Sequence, residues 1–250
     1  MHYVLTINQR DSREVGDLTG DLLRALRHLP AVVPFQRSVG DEVQGVLEHP
    51  ADVVEIALHA LRGGRWYVGI GVGAVDRPLP KSPREGSGPA FVAARLAVDR
   101  AKASAAHVPI AVVAGVPRRG QAPLPPGGSA GASSGAGHAA AGDGARACAN
   151  AEAVLRLIGR LVQDRSGAQW KVVDVLRSVQ QGQASTHGTQ KIAAGKLGIT
   201  EQSVSRALLR SGWQEEWAAR PAAEMLLSLA HGLVTGTDHP GADSSAEGDR

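Results

Sequence analysis

The 250-residue chain has room for one or two domains, and its 43% hydrophobic share gives each a core to bury. Its 27 Lys and Arg against 24 Asp and Glu leave a net charge of only +3, by itself a weak argument for a nucleic-acid partner. A single cysteine, Cys148, excludes an intrachain disulfide and any multi-cysteine zinc site.

Residues 3–7 (YVLTI) form a short β-rich run. Charge follows too quickly for a secretory leader, and no apolar run nears the roughly 20 residues of a membrane span. A cytoplasmic protein without a membrane partner is expected. Residues 18–29 carry Leu18, Leu22, Leu26 and Leu29 at helical spacing and stop at Pro30. Residues 35–39 and 43–47 flank Gly40, Asp41 and Glu42 as a hairpin. Residues 50–61 repeat a helical stripe through Val53, Val54, Ala57, Leu58 and Leu61.

Residues 66–75 (WYVGIGVGAV) read as a strand with Gly69, Gly71 and Gly73 at alternate positions. A phosphate-cradling loop would lie between a strand and a helix N-terminus. Glycines on one face of a strand instead let a helix or another backbone approach closely. A third helix over 89–105 and a strand over 108–113 complete the order β-α-β-β-α-β-α-β. Its opening βαββαβ portion predicts an α+β domain with a ferredoxin-like core, an antiparallel sheet with helices on one face.

Residues 117–150 are rich in Gly, Ala, Ser and Pro and predict a disordered linker, with Cys148 an incidental thiol inside it. It divides residues 1–116 from an all-α domain at 151–232, and residues 233–250 read as a flexible tail. Amphipathic helices are expected over 151–163 and 169–179. A final helix over 221–231 has Pro221 in its first turn. No strand signal follows Arg210, so the domain is expected to be all-helical rather than winged.

Residues 190–210 read QKIAAGKLGITEQSVSRALLR, the pattern of a helix-turn-helix. Ala193 and Ala194 are small where a second helix crosses. Gly198 takes the positive φ that ends the first helix, and Thr200 caps the second beside Ser203. Val204 and Leu208 face inward. Gln202, Ser205 and Arg206 are placed to reach base edges, and Lys191, Lys196 and Arg210 to bind phosphates. Thr200 and Ser203 complete the DNA-binding set, and Glu201 fits least well. The expected partner is double-stranded DNA, bound by a homodimer; the helix over 151–163 offers Leu155, Ile158, Leu161 and Val162 either to part of its interface or, equally, to a core against the Trp170 helix. The alternative is a helical hairpin packed in a core or on a protein partner.

A second constellation is the hairpin pair Asp41 and Glu42, two carboxylates that suit a divalent cation such as Mg²⁺, with Asn8 and Asp11 as partners from the end of the first strand. A solvated polar turn is the plain alternative. The nine His show no metal spacing and no triad signature.

The segments TINQRDSR at 6–13, SVGDEVQGVL at 38–47, WYVGIGVGAV at 66–75 and GPAFVAARLAVDRAK at 88–102 resemble the SatD family, in the family's order. The C-terminal helices resemble the MarR-type or sigma-like DNA-binding helices of many regulators. More distantly, the first domain resembles nucleotide cyclases and GGDEF diguanylate cyclases. The cyclase resemblance implies a carboxylate on the first strand opposite the hairpin. Asn8 stands there instead and cannot supply the charge that two-metal phosphoryl transfer needs. It therefore implies a degenerate site that binds a nucleotide or metal without turnover. Together these readings predict a non-enzymatic DNA-binding regulator with an N-terminal sensor or dimerisation domain; the alternative is a cyclase-like nucleotide- or metal-binding protein.

Overall fold

Tyr3, Leu5 and Ile7 alternate with Val4, Thr6 and Asn8, so the first strand has an apolar side and a mixed side. That alternation sets the layers of the computed structural model, which describes residues 1–115, 134–181 and 188–236. The strands are β1 (Tyr3–Gln9), β2 (Val33–Arg37), β3 (Glu42–Leu47), β4 (Trp66–Val72) and β5 (Ile110–Ala114). They lie in the order β2-β3-β1-β4-β5. β1 runs antiparallel to β3 and β4, and β2 antiparallel to β3. β5 runs parallel to β4, so the sheet is mixed rather than wholly antiparallel. The connecting helix returns the chain to the starting end of the sheet, as a parallel neighbour requires.

The helices are α1 (Ser12–Val15), α2 (Thr19–Leu26), α3 (Pro50–Leu61), α4 (Pro89–Ala103), α5 (Ser134–Gln163), α6 (Gly167–Gln181), α7 (Thr189–Leu197), α8 (Glu201–Arg210) and α9 (Trp213–Thr235). They cover both faces of the sheet, not one. Tyr3, Leu5, Ile7, Val68 and Ile70 share one continuous apolar cluster with side chains of α2, α3, α5 and α9. On the other face Val4 and Val46 meet Ala90, Phe91 and Ala94 of α4, and Ala111 meets Ala97 and Ala101. Gly69 and Gly71 lie directly under α4: a Cβ on Gly69 would stand 2.7 Å from the Ala94 carbonyl oxygen and 2.8 Å from the Val98 Cα. The alternate glycines thus serve close helix approach, as expected.

α5 begins inside the stretch read as linker, so residues 134–150 are helical. Alanine, which made that stretch look featureless, is the best helix former. Small side chains also let α5 lie close to its neighbours. Cys148 is 2% exposed there, and burial pushes its thiol up to about 12, so it is inert rather than incidental to a loose segment. Residues 117–133 of the expected linker, and the tail from 237, lie outside the described residues.

α5 and α9 pack along each other and on the sheet through Ala151, Leu155, Ile158, Val162, Ala223, Leu227 and Ala230. Of the two readings of Leu155, Ile158 and Val162, dimer interface or core, the second therefore holds: they are core residues of this chain. α5 also blocks the open edge of β5. The Glu152 Oε2 accepts the Val112 N–H at 2.8 Å, and Arg156 Nε donates to the Ile110 carbonyl at 3.2 Å. The final helix starts earlier than expected: α9 is one helix with Pro221 inside it. Packing of Ala223, Leu227 and Ala230 against α5 holds it through the hydrogen bond that proline removes. Among the described residues no helix is long and apolar enough to cross a membrane.

Candidate nucleic-acid interface

α6, α7 and α8 gather a small core from Val172, Val173, Leu176, Ala193, Ala194, Val204 and Leu208, closed by Trp213 of α9. The turn between α7 and α8 is built as the sequence indicates. Gly198 is left-handed (φ 65°, ψ 30°), and the Ile199 N–H closes back on the Ala194 carbonyl at 3.1 Å. Thr200 Oγ1 accepts the Ser203 N–H at 3.2 Å and lies 2.9 Å from the Ser203 hydroxyl. The Thr200 hydroxyl thus caps α8.

Val204 (0% exposed) and Leu208 (4%) seat α8 on the other helices. Glu201, Gln202, Ser205, Arg206 and Arg210 are exposed on the remaining faces, and Lys191 and Lys196 are exposed on α7. Among the described residues none of Lys191, Lys196, Arg206 and Arg210 has a carboxylate partner. Their charge therefore stays available to an external anion.

Two residues of this surface escaped sequence reasoning. Leu209 is 73% exposed, next in helical order to Ser205 and Arg206. An apolar side chain there suits a thymine methyl group. Its exposure follows from the phase of α8, in which Leu208 already takes the core position. Lys171, on α6, joins Arg206 and Arg210 around a groove of about 510 Å³ between α6 and α8. Only packing brings it near, and no spacing rule links it to the motif.

The second constellation assembles in part. Asn8 and Glu42 are cross-strand partners, and Asn8 Nδ2 donates to Asp41 Oδ1 at 3.0 Å. Glu42 is 3% exposed and pairs with Arg95 of α4 at 3.0 Å. Burial raises its pKa, and the Arg95 guanidinium opposes that rise without cancelling it. Asp11 does not join: it is exposed, left-handed (φ 53°), and its carbonyl starts α1. Among the described residues no three His, Cys, Asp or Glu side chains are grouped to hold a metal. A cation at Asp41 and Glu42 would have to displace Arg95.

A third cluster joins α6–α8 to the sheet. Glu55 of α3 pairs with Arg177 of α6 at 2.6 Å and with Arg220 of α9. Arg220 in turn binds Glu216 at 2.5 Å, and Glu216 pairs with Arg165 at 2.6 Å. Arg165 and Glu216 are each 1% exposed at the side chain. Beside them Arg62 grips Asp174 with two hydrogen bonds (2.9 and 2.6 Å), its guanidinium 4.0 Å above the Trp170 ring. Glu55–Arg177, Glu55–Arg220 and Arg62–Asp174 each join residues more than a hundred positions apart in sequence, so no local pattern announces them.

No family model, no curated protein and no solved structure matches the chain.

Proposed function

We propose that the chain is a double-stranded DNA-binding regulator in which α7 and α8 form a helix-turn-helix and α8 enters the major groove. One observation carries the reading. α8 is held by Val204 and Leu208 on a small core, while its exposed sides present Gln202, Ser205 and Arg206 with unpaired Lys191, Lys196, Arg206 and Arg210 around them. Gln matches adenine and Arg matches guanine, while the flanking cations suit phosphates. Glu201 is the one carboxylate on α8, at its N-terminus, where the helix dipole favours it. Readers of this type bind paired half-sites as dimers, and a homodimer is part of the proposal. Its interface lies elsewhere than the buried side of α5.

The strand order β2-β3-β1-β4, antiparallel throughout, supports a ferredoxin-like core extended by β5. It also agrees with the SatD and cyclase resemblances, under which the first domain is a sensor or dimerisation unit. The competing cyclase-like reading is weaker. Asn8 lacks the needed charge, and Glu42 already serves Arg95.

Fluorescence anisotropy with labelled genomic fragments tests the proposal. Arg206→Ala should weaken binding to the preferred fragment by about 1–3 kcal/mol and relax its sequence preference. Lys196→Ala should weaken all fragments alike and flatten the salt dependence. Equal, salt-labile binding to every fragment by the wild type would overturn the specific-reader proposal.

A further inference from the structure

α4 buries one side on the sheet and leaves the other uncovered. Ala90, Ala94, Ala97, Val98 and Ala101 are buried, while Val92 and Leu96 on the opposite side are 49% and 56% exposed. Val92, Leu96, Asp99 and Ala103, all exposed, recur at the i, i+4, i+7, i+11 spacing of a helix–helix seam. Val39, in the β2–β3 turn and 68% exposed, lines with Val92 and Leu96 one groove of about 650 Å³. Apolar side chains scattered singly on a surface are ordinary, but three that share one groove mark a contact.

Charge identifies what makes that contact. Arg84 and Arg95 line the groove, and no Asp or Glu does. Asp99 lies four residues after Arg95 on the same flank of α4, yet the two do not pair. Arg95 turns to Glu42 at 3.0 Å, and among the described residues Asp99 meets only Lys102, at 3.9 Å. A cation and an anion four positions apart on one flank complement a second copy of the same helix run antiparallel. With a two-fold axis at the level of Ala97, Arg95 stands level with Asp99 of the second copy, and Asp99 level with its Arg95. Leu96 then packs on Leu96 across the axis, and Val92 on the smaller Ala103. The second copy also brings to the groove the carboxylate that it lacks.

We propose that the homodimer forms by antiparallel pairing of α4 with α4 of a second copy, with Leu96 at the centre and two Arg95–Asp99 ion pairs beside it. This rests on the homodimer reading and gives it a place. α6–α8 join the chain through α3 and α9, which cover the other face of the sheet, so the contact leaves α8 of both copies free.

Sedimentation velocity of the full chain, over about 1–200 µM, tests it. Wild type is expected to dimerise within the series. Asp99→Arg sets like charges against Arg95 of the second copy, and Leu96→Glu brings two carboxylates together at the axis. Each should weaken dimerisation by about tenfold or more. Both positions are exposed on a helix that accepts the new side chains, so circular-dichroism spectra should match wild type. Met225→Glu is the control: Met225 is 65% exposed on α9, and its replacement should leave the dimer unchanged. A wild-type dimer that persists in Asp99→Arg or in Leu96→Glu, or that Met225→Glu breaks instead, overturns this contact and leaves the homodimer reading standing. A wild type that stays monomeric throughout the series overturns both.

Discussion

Replacing Gly69 by alanine should loosen α4 from the sheet. The added Cβ would sit 2.7 Å from the Ala94 carbonyl oxygen and 2.8 Å from the Val98 Cα, with the Val98 nitrogen closer still. All three are backbone atoms, so no side-chain rotation relieves the clash, and α4 must move outward by most of an ångström. That helix holds Ala90, Ala94, Ala97, Val98 and Ala101 almost wholly buried. Overpacking of this kind costs about 1–3 kcal/mol, and an immovable neighbour places Gly69 at the upper end. The smaller freedom of alanine in the unfolded chain returns about 0.4–1 kcal/mol. The net loss is about 2 kcal/mol, a fall of about 4–8 °C in melting temperature for a chain of this size. Circular-dichroism melts of Gly69→Ala measure it. Gly63→Ala is the control: Gly63 is exposed, its nearest neighbour would be the Arg65 side chain at 3.8 Å, and only the unfolded-chain gain of about 0.4–1 kcal/mol is expected, a small rise in melting temperature. If Gly69→Ala melts with the wild type, α4 does not lie on β4 as described.

The cap of α8 should be visible in the same assay: Thr200→Ala removes the acceptor of the Ser203 N–H and should cost about 1 kcal/mol, whereas Thr200→Ser should cost little. Glu55→Gln takes the shared carboxylate from Arg177, which is partly exposed, and from Arg220, which keeps Glu216, and should cost about 1–3 kcal/mol, read from urea midpoints. A loss well under 1 kcal/mol would mean that the pair is solvated. His231 is lowered to about 4, by burial first and then by the N-terminal ammonium and His2, and its ring accepts the His2 N–H at 3.0 Å. The folded chain therefore binds this proton less readily than the unfolded one, and the stability present above about pH 6.5 is lost as pH falls toward 4. Urea midpoints of His231→Gln should fall less steeply across that window.

Where one element decides its own structure, the sequence was readable. The bounds of α3 follow from its stripe and Pro50, and Gly198 and Thr200 behave as their side chains require, because those constraints are local. The glycines of β4 were legible for the same reason: an alternate pattern can serve only one face. Long-range features were not legible. The parallel placement of β5 and the covering of both sheet faces depend on which side each crossover takes. α5 was hidden by composition, since alanine and glycine suggest a linker until a partner surface is known. At the second constellation, the facing of Asn8 and Asp41 was readable from strand and hairpin, but the diversion of Glu42 to Arg95 was not, because Arg95 lies 53 positions away.

The Glu55 cluster bears on how the two parts of the chain communicate. A loose tether would transmit little strain and act mainly through effective concentration. Here α6 is held to α3 by Glu55–Arg177 and Arg62–Asp174, and α9 runs from the α8 turn into the core it shares with α5 and the sheet. The Arg62–Asp174 pair and the buried Arg165–Glu216–Arg220 chain beside it differ in strength for a physical reason. Arg62 and Asp174 are 35% and 44% exposed, so water screens their charge, and stacking on Trp170 adds only about 0.5–1 kcal/mol. Arg165, Glu216 and Arg220 are nearly dry, so unpairing any of them leaves a stranded charge. α3 also adjoins the sheet through Val53, Ile56 and Leu61. A ligand or partner that shifted α3 would therefore act on α6, and through its packing on α8, along contacts that already exist. The outer pair can yield while the dry Arg165–Glu216–Arg220 chain holds, which favours rotation of α6–α8 about that chain over their detachment from the sheet.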